Sequence, residues 1–358
     1  MTTAARMNAL VLHAVGDARY EQVPMPVPGP GQVRVQVAVC GVCNSDLSRF
    51  FGGGPYSFPL VCGHEFAGTV EQNGPGVEHY GPGDRVAVFP LLWCGACGPC
   101  ERSRYAQCTN YDYLGSRSDG AFAEFVVAPT RNLIRLPPAV SLEEAAMIEP
   151  AAVALHALRR ARGDMIGECV AVFGAGPIGL LAAQWARAMG AAPVAIFDIV
   201  SEKLQLAVRL GFPHAYDAAE ANPIRVIGEL TGGLGARLCI EAAGTPQAAL
   251  HALKAAARDA KIVLLGNPTA DLVLPTALVS QLLRREVAVL GTWNSDYSAA
   301  GDNDDWHLAV AGMSAGTVDV KPLMSHRIKL SRAFDALRMM NDRKEFYCKV
   351  LIFPERGA

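Results

Sequence analysis

Four cysteines fall within one short stretch, Cys94-x2-Cys97-x2-Cys100-x7-Cys108, interleaved with Gly95, Gly98 and Pro99. Four thiolates on one loop can close a tetrahedron around Zn²⁺, an ion without d-electron geometry that soft sulfur holds well. A four-thiolate site leaves no position open, so zinc there would hold a lobe together rather than carry out chemistry. Two disulfides are the rival arrangement, and they need an oxidising compartment. Met1-Thr2-Thr3-Ala4-Ala5-Arg6 lacks the apolar core of a secretory leader. The chain therefore reads as cytoplasmic, with reduced thiols.

A second donor set is spread more widely. Val42-Cys43-Asn44-Ser45-Asp46 supplies a thiol, Gly63-His64-Glu65 an imidazole and a carboxylate, and Glu149 another carboxylate. One thiolate, one neutral imidazole and one carboxylate would leave a zinc site formally neutral, with a position open to a water or alcohol oxygen. Each residue also has an ordinary reading. His64 fits a hydrogen-bonded structural histidine, Glu65 a solvated turn, and Cys40-x2-Cys43 a redox pair. Cys40, Cys62, Cys169, Cys239 and Cys348 read as packing residues.

Gly174-Ala175-Gly176-Pro177-Ile178-Gly179 follows the apolar run Cys169–Phe173 and opens a helix striped by Ile178, Leu181, Trp185 and Met189. In this context Gly174 serves a tight turn, Gly176 lets a pyrophosphate approach the backbone, and Gly179 lets helix and strand pack closely. The helix N-terminus favours the phosphate charge. The next run, Val194-Ala195-Ile196-Phe197, ends in Asp198, placed to hold the adenosine ribose hydroxyls and to repel a 2′-phosphate. This predicts NAD rather than NADP.

The elements that position these groups fall into two textures. Residues 1–150 read as short strands between Gly/Pro clusters. Val33–Val39 alternates with period two, and 66–70, 85–89 and 122–128 look like further strands. After Glu149-Pro150 the pattern changes. Residues 151–162 are alanine- and leucine-rich, a helix candidate. Apolar runs at 169–173, 194–197, 237–240, 262–265 and 287–290 then alternate with helical segments. Continuous runs of this kind indicate a parallel sheet covered on both faces. Past about Trp293 the texture is mixed, and Lys349–Phe353 closes the chain as a strand.

The 358 residues are 51% hydrophobic and 18% charged, with a formal net charge of −2, enough apolar material for two cores. That balance gives no electrostatic footprint for nucleic acid and no polybasic membrane patch.

Taken together, the chain from Gln32 to Phe353 resembles the zinc-dependent medium-chain dehydrogenases, in their polyol (sorbitol-type) branch. The similarity rests on both donor sets, the glycine loop, Pro90-Leu91-Leu92, Tyr111–Arg117, Ile148-Glu149-Pro150 and Val153–Ala157. The resemblance implies an α/β protein. A Rossmann domain with a doubly wound parallel sheet, residues 154–293, would be inserted in a mostly β, GroES-like zinc-binding catalytic domain, residues 1–153 and 294–358. The active site would lie in a cleft.

The resemblance further implies two zinc ions per chain, one held by Cys94, Cys97, Cys100 and Cys108. Cys43, His64 and Glu149 would ligate the catalytic ion, with Glu65 an alternative ligand or a group behind one. Asp46 would orient the histidine, and Ser45 would take the alcohol proton. The cofactor residues would be Gly174, Gly176, Pro177, Ile178, Gly179, Asp198 and Lys203. Ala243, Leu265 and Gly266, with Glu241-Ala242-Ala243-Gly244, would lie at the nicotinamide.

The implied reaction is oxidation of a secondary hydroxyl of a polyol or polyol phosphate to a ketone, with hydride passed to NAD. A threonine-type amino-alcohol dehydrogenase is the runner-up. A zinc and nucleotide sensor without turnover and a zinc-independent enone reductase stand further off, because the ligand set is intact. Arg49, Arg117 and Arg284 are the arginines available to a substrate phosphate, and each also reads as a surface or structural charge. Asp271-Leu272-Val273-Leu274-Pro275 looks like a short exposed strand that would pair with its copy in a homodimer or homotetramer. Two departures stand out. Asn44 replaces a common glycine, and Ser48 stands where many members carry a proton-relay histidine.

Overall fold

The computed structural model describes residues 5–161, 163–299, 301 and 303–355. Residues 1–4, with which the N-terminal segment begins, and Arg162, the last residue of the expected helix, lie outside that set. The chain divides into two compact units. One is Met1–Glu149 with Asp296–Ser314 and Met324–Ala358, and the other is Pro150–Ser295 with Ala315–Leu323.

The first unit is organised around strand Gln32–Gly41. Its alternation buries Val33, Val35, Val37 and Val39 on one side. It pairs antiparallel with Glu65–Asn73, with Phe125–Pro129 and with Lys349–Phe353. Three chemically important segments are thereby gathered at its C-terminal end. Gly41 lies opposite Glu65 on one neighbour and Leu351 on the other. A Cβ at position 41 would collide with Glu65 Oε2, so only glycine leaves room for that carboxylate. Directly afterwards Cys43 caps helix Asn44–Phe51, with its backbone N–H donating to Asp46 Oδ2 at 3.0 Å. The core beneath joins Val35, Phe50, Phe66, Phe122 and Ile352.

The expected strand at 122–128 is divided between two sheets. Phe122 O accepts from Leu10 N and Glu124 N donates to Asn8 O, while Glu124 O already takes Val37 N and from Phe125 the chain pairs along Gln32–Gln36. The segment is changing sheets, and an apolar pattern alone does not mark where.

In the second unit, the described strands form one parallel sheet. Its order is Ala215–Asp217, Val194–Asp198, Val170–Phe173, Ala236–Glu241, Ala256–Leu264, Ala288–Gly291. Numbered along the chain this is 3-2-1-4-5-6, the doubly wound Rossmann order. Ala171, Phe173, Ala195, Phe197 and Ile262 pack in one cluster with residues of helices Pro223–Leu230, Pro246–Ala255 and Thr276–Arg285. Val170, Val172 and Ile196 are equally buried, so both faces are covered. Helix Pro177–Ala188 is buried from Gly179 to Ala186, and Trp185 Nε1 donates to Ala151 O at 3.0 Å. Residues 315–323 group with this unit, where Gln184 exchanges two hydrogen bonds with the Asp319 backbone. No described helix is long and apolar enough to cross a membrane.

Candidate metal centres and nucleotide site

The cysteine loop folds as its spacing demands. One sulfur from each of Cys94, Cys97, Cys100 and Cys108 lies within 4.8 Å of the others, and none is in a disulfide. Cys97 Sγ stands 3.4 Å from Cys100 Sγ and 3.8 Å from Cys108 Sγ, far beyond a covalent bond. Backbone N–H groups of Thr109 and Cys100 lower the Cys97 thiol to about 6, favouring the thiolate. Four converging sulfurs of this kind fit a tetrahedral zinc. The loop is fastened by Trp93, stacked on Tyr105 at 4.3 Å, while Arg131 lies 4.4 Å over Trp93 and donates to its carbonyl at 2.7 Å.

Cys43, His64 and Glu65 also converge, each offering a ligand atom within 4.8 Å of the other two. Cys43 comes from the helix N-cap, Glu65 opens strand Glu65–Asn73, and His64 immediately precedes it. His64 is 4% exposed and Glu65 1%. A sulfur, an imidazole and a carboxylate, secluded together, are a donor set that fits zinc. The His64 Nδ1 atom lies 3.5 Å from Asp46 Oδ1, so a fully buried carboxylate stands beside the ring. Burial pushes the Asp46 carboxyl up, but His64, Arg49 and the Cys43 N–H outweigh it and hold it below its ordinary value.

Glu149 is not part of that compact trio. Its carboxylate accepts from Tyr113 Oη at 3.5 Å, and the Tyr113 ring meets His64 edge-on at 5.8 Å. Burial, then the charge of Glu65, pushes the Glu149 carboxyl up to about 7. It therefore stands beside the trio as a secluded carboxylate in the field of another.

Lys349 escapes a motif search, and Arg49 takes a different place from the phosphate contact its sequence position suggests. Lys349 Nζ donates to Glu65 Oε2 at 2.5 Å and to Val42 O at 3.1 Å. Arg49 Nη1 donates to Asp46 Oδ1 at 2.9 Å and to Ser45 Oγ at 3.1 Å, so this arginine is neither a surface charge nor free for a phosphate at that nitrogen. The redox reading of Cys40 fails, because burial holds its thiol well above the ordinary value and its Sγ donates to the Gly41 carbonyl. Arg117 is sandwiched between Tyr56 and Tyr111, 4.2 Å from each ring.

At the nucleotide loop, Gly174 has φ +109°, and a Cβ there would sit 2.8 Å from Ala243 N. A Cβ on Gly179 would collide with Gly174 O, whereas one on Gly176 would meet nothing within 4 Å. Open space above Gly176, at the N-terminus of helix Pro177–Ala188 without a side-chain cap, is what an approaching pyrophosphate requires. Ile178, half-buried, lies in the first turn of that helix. Asp198 Oδ2 accepts from Ala175 N at 2.7 Å, and Oδ1 from Ile199 N at 2.8 Å and Val200 N at 3.0 Å. Lys203 Nζ stands 3.7 Å from Asp198 Oδ2. Buried Glu241 accepts from Ala243 N at 2.9 Å and Gly244 N at 2.8 Å, and its backbone carbonyl takes Leu265 N and Gly266 N. The glycine loop, Asp198 and the 241–244 and 265–266 turns thus line one end of the sheet.

The likenesses to known proteins agree with this geometry. Residues 29–138 match the family described as alcohol dehydrogenase GroES-like domain, and residues 177–315 the one described as zinc-binding dehydrogenase. The chain is 38% identical over 322 residues to galactitol 1-phosphate 5-dehydrogenase of Escherichia coli K12, covering 90% of this chain and 92% of that one. It is 30% identical to sorbitol dehydrogenase of Bacillus subtilis strain 168, with 99% of both chains covered. A solved structure from Sinorhizobium meliloti, a zinc-binding dehydrogenase bound to NADP, superposes with a TM-score of 0.88. It is 29% identical, over 98% of this chain and 100% of that one.

Proposed function

We propose, from the premise that this chain belongs to the zinc-dependent medium-chain dehydrogenases in their polyol branch, that it oxidises a secondary hydroxyl of a polyol or polyol phosphate. The product is a ketone, and the hydride passes to NAD. The observation that carries the reading is the secluded trio of Cys43, His64 and Glu65 with Glu149 beside it. In that reading Cys43, His64 and Glu149 hold the ion, and Glu65 stands by as an alternative ligand.

Zinc bound there supplies a Lewis acid that lowers the pKa of the substrate hydroxyl, and the nicotinamide supplies the hydride acceptor. The chain's own residues do the rest. Asp46 holds the His64 ring in orientation. Ser45 is the hydroxyl that takes the substrate proton. Gly176 and the N–H groups opening the helix receive the pyrophosphate. Asp198, already oriented by three backbone amides, would receive the ribose hydroxyls. Glu241 fixes the turns assigned to the nicotinamide. A carboxylate ligand in place of a second thiolate makes the site harder, which favours substrates presenting two neighbouring oxygens.

The test is a panel of polyols, their phosphates, threonine and simple alcohols, each with NAD and NADP. A polyol or polyol phosphate should exceed ethanol by at least ~100-fold in kcat/KM, equivalent to about 2.7 kcal/mol. Equal efficiency on ethanol defeats the reading, and a threonine optimum replaces it with the amino-alcohol enzyme.

A further inference from the structure

Helix Asn44–Phe51 carries Ser45, Asp46, Ser48 and Arg49 within two turns. Residues three and four apart share a helix face, so Ser45 has Ser48 and Arg49 as its neighbours. Position 48 is exposed and holds no base. The neighbour that reaches Ser45 is Arg49, and its side chain is only 16% exposed.

The contact has a direction. Arginine stays charged and has donors only. The 3.1 Å bond from Arg49 Nη1 therefore occupies one lone pair of Ser45 Oγ and leaves the other lone pair and the O–H pointing elsewhere. The same nitrogen donates to Asp46 Oδ1 at 2.9 Å. Asp46 Oδ1 is also the atom that faces His64 Nδ1, and Asp46 Oδ2 takes the Cys43 N–H. One guanidinium nitrogen thus ties the Ser45 hydroxyl to the carboxylate that backs the imidazole.

We propose that Arg49 is the positioning residue for Ser45, completing the network that residue 48 does not complete. This rests on the alcohol-oxidising reading. When the substrate hydroxyl gives its proton to the free lone pair of Ser45 Oγ, the serine's own proton leaves to a water molecule. The arginine gives up none. Ser45 is then a one-step exit to solvent, with its rotamer fixed from behind.

The test compares wild type with Arg49→Met, Arg49→Lys, Arg49→Ala and Ser48→His, all assayed for zinc content, melting temperature, kcat and KM. Arg49→Met should lower kcat about 10- to 100-fold, the usual cost of losing a group that orients the residues of a metal site, while KM and zinc content stay near wild type. Arg49→Lys should recover part of the loss. Guanidinium ion, well below denaturing concentration, should raise the kcat of Arg49→Ala. Ser48→His alone should leave kcat unchanged, because Arg49 already fixes the Ser45 hydroxyl and the serine proton already has its exit to water.

The proposal is overturned if Arg49→Met keeps kcat within twofold. It is equally overturned if kcat falls only in step with zinc and melting temperature and guanidinium restores nothing. Should Arg49→Met not fold, Arg49→Lys and the rescue of Arg49→Ala decide in the same terms, and a large gain in kcat from Ser48→His overturns the proposal by itself. Failure of the functional reading looks different: wild type itself would turn over no alcohol in the panel.

Discussion

Lys349 Nζ lies 2.5 Å from Glu65 Oε2, with the two side chains 4% and 2% exposed. The lysine is the first residue of strand Lys349–Phe353, and the glutamate opens strand Glu65–Asn73. Nζ also donates to Val42 O, the residue before Cys43. Burial pulls the ammonium toward neutrality, but the charges of Glu65 and Cys43 outweigh it and keep it above its ordinary value. The two charges are desolvated together, so each depends on the other.

Removing one partner should therefore cost far more than removing both. Lys349→Met leaves a carboxylate buried without compensation, a loss of about 3–5 kcal/mol for a broken buried pair. The double variant Lys349→Met/Glu65→Leu should recover much of that. Denaturant titration of wild type, both single variants and the double variant measures the cycle. A single variant as stable as wild type rules out a coupled pair.

The two cysteine systems should separate cleanly under substitution. Cys97→Ser removes one of four converging sulfurs in a loop fastened through Trp93 and Arg131. It should lose one zinc per chain and melt earlier. Cys43→Ser should abolish turnover while the protein stays folded. Metal analysis beside thermal melting reads both. Normal zinc content and stability in Cys97→Ser would refute a structural role for the loop.

What could be read from the sequence was whatever sits close together along the chain. The four-cysteine loop and the glycine turn are local, and their spacing carries their geometry. Gly174 and Gly179 are required by contacts within a few residues or at the next strand end. The alternating Val33–Val39 strand and the apolar runs of the parallel sheet were legible for the same reason. Lys349 was not, because its partner lies 284 positions away. The available signal was a lysine opening the apolar strand Lys349-Val350-Leu351-Ile352-Phe353, a charge in need of a buried counterpart. Arg49 was legible in principle, at three and four residues from Asp46 and Ser45. The switch of sheets at Phe125 depends on pairing with Asn8 and Leu10, which no local pattern encodes.

Asp198 should govern cofactor choice in two ways at once. Its carboxylate repels a 2′-phosphate, so Asp198→Ala should narrow or reverse a preference for NAD. The same carboxylate accepts the Ala175 N–H at 2.7 Å and so braces the glycine loop. The variant should accordingly bind both cofactors more weakly, while the NAD-to-NADP ratio of kcat/KM falls. Asp198→Asn, which keeps an acceptor without the charge, separates the two effects. It should relax the preference with a smaller loss of affinity. A wild-type enzyme that prefers NADP would overturn the charge argument.

The segment from Asp271 to Pro275 forms no strand within the chain, although its composition suggests one. Leu272, Val273 and Leu274 are 38%, 76% and 39% exposed. In the same unit Leu283, on the next helix, and Val289, on strand Ala288–Gly291 at the end of the parallel sheet, are also exposed. An exposed apolar segment with the composition of a strand, in the same unit as the edge strand of a sheet, invites pairing with another strand. A second copy of the chain presents the same surface, so the pairing can close about a two-fold axis. Sizing at micromolar concentration should therefore give a dimer or tetramer. Val273→Pro deletes a backbone donor and disfavours strand pairing at that point. It should shift the equilibrium toward monomer without loss of zinc. A wild-type monomer under those conditions would show that this surface serves no self-association.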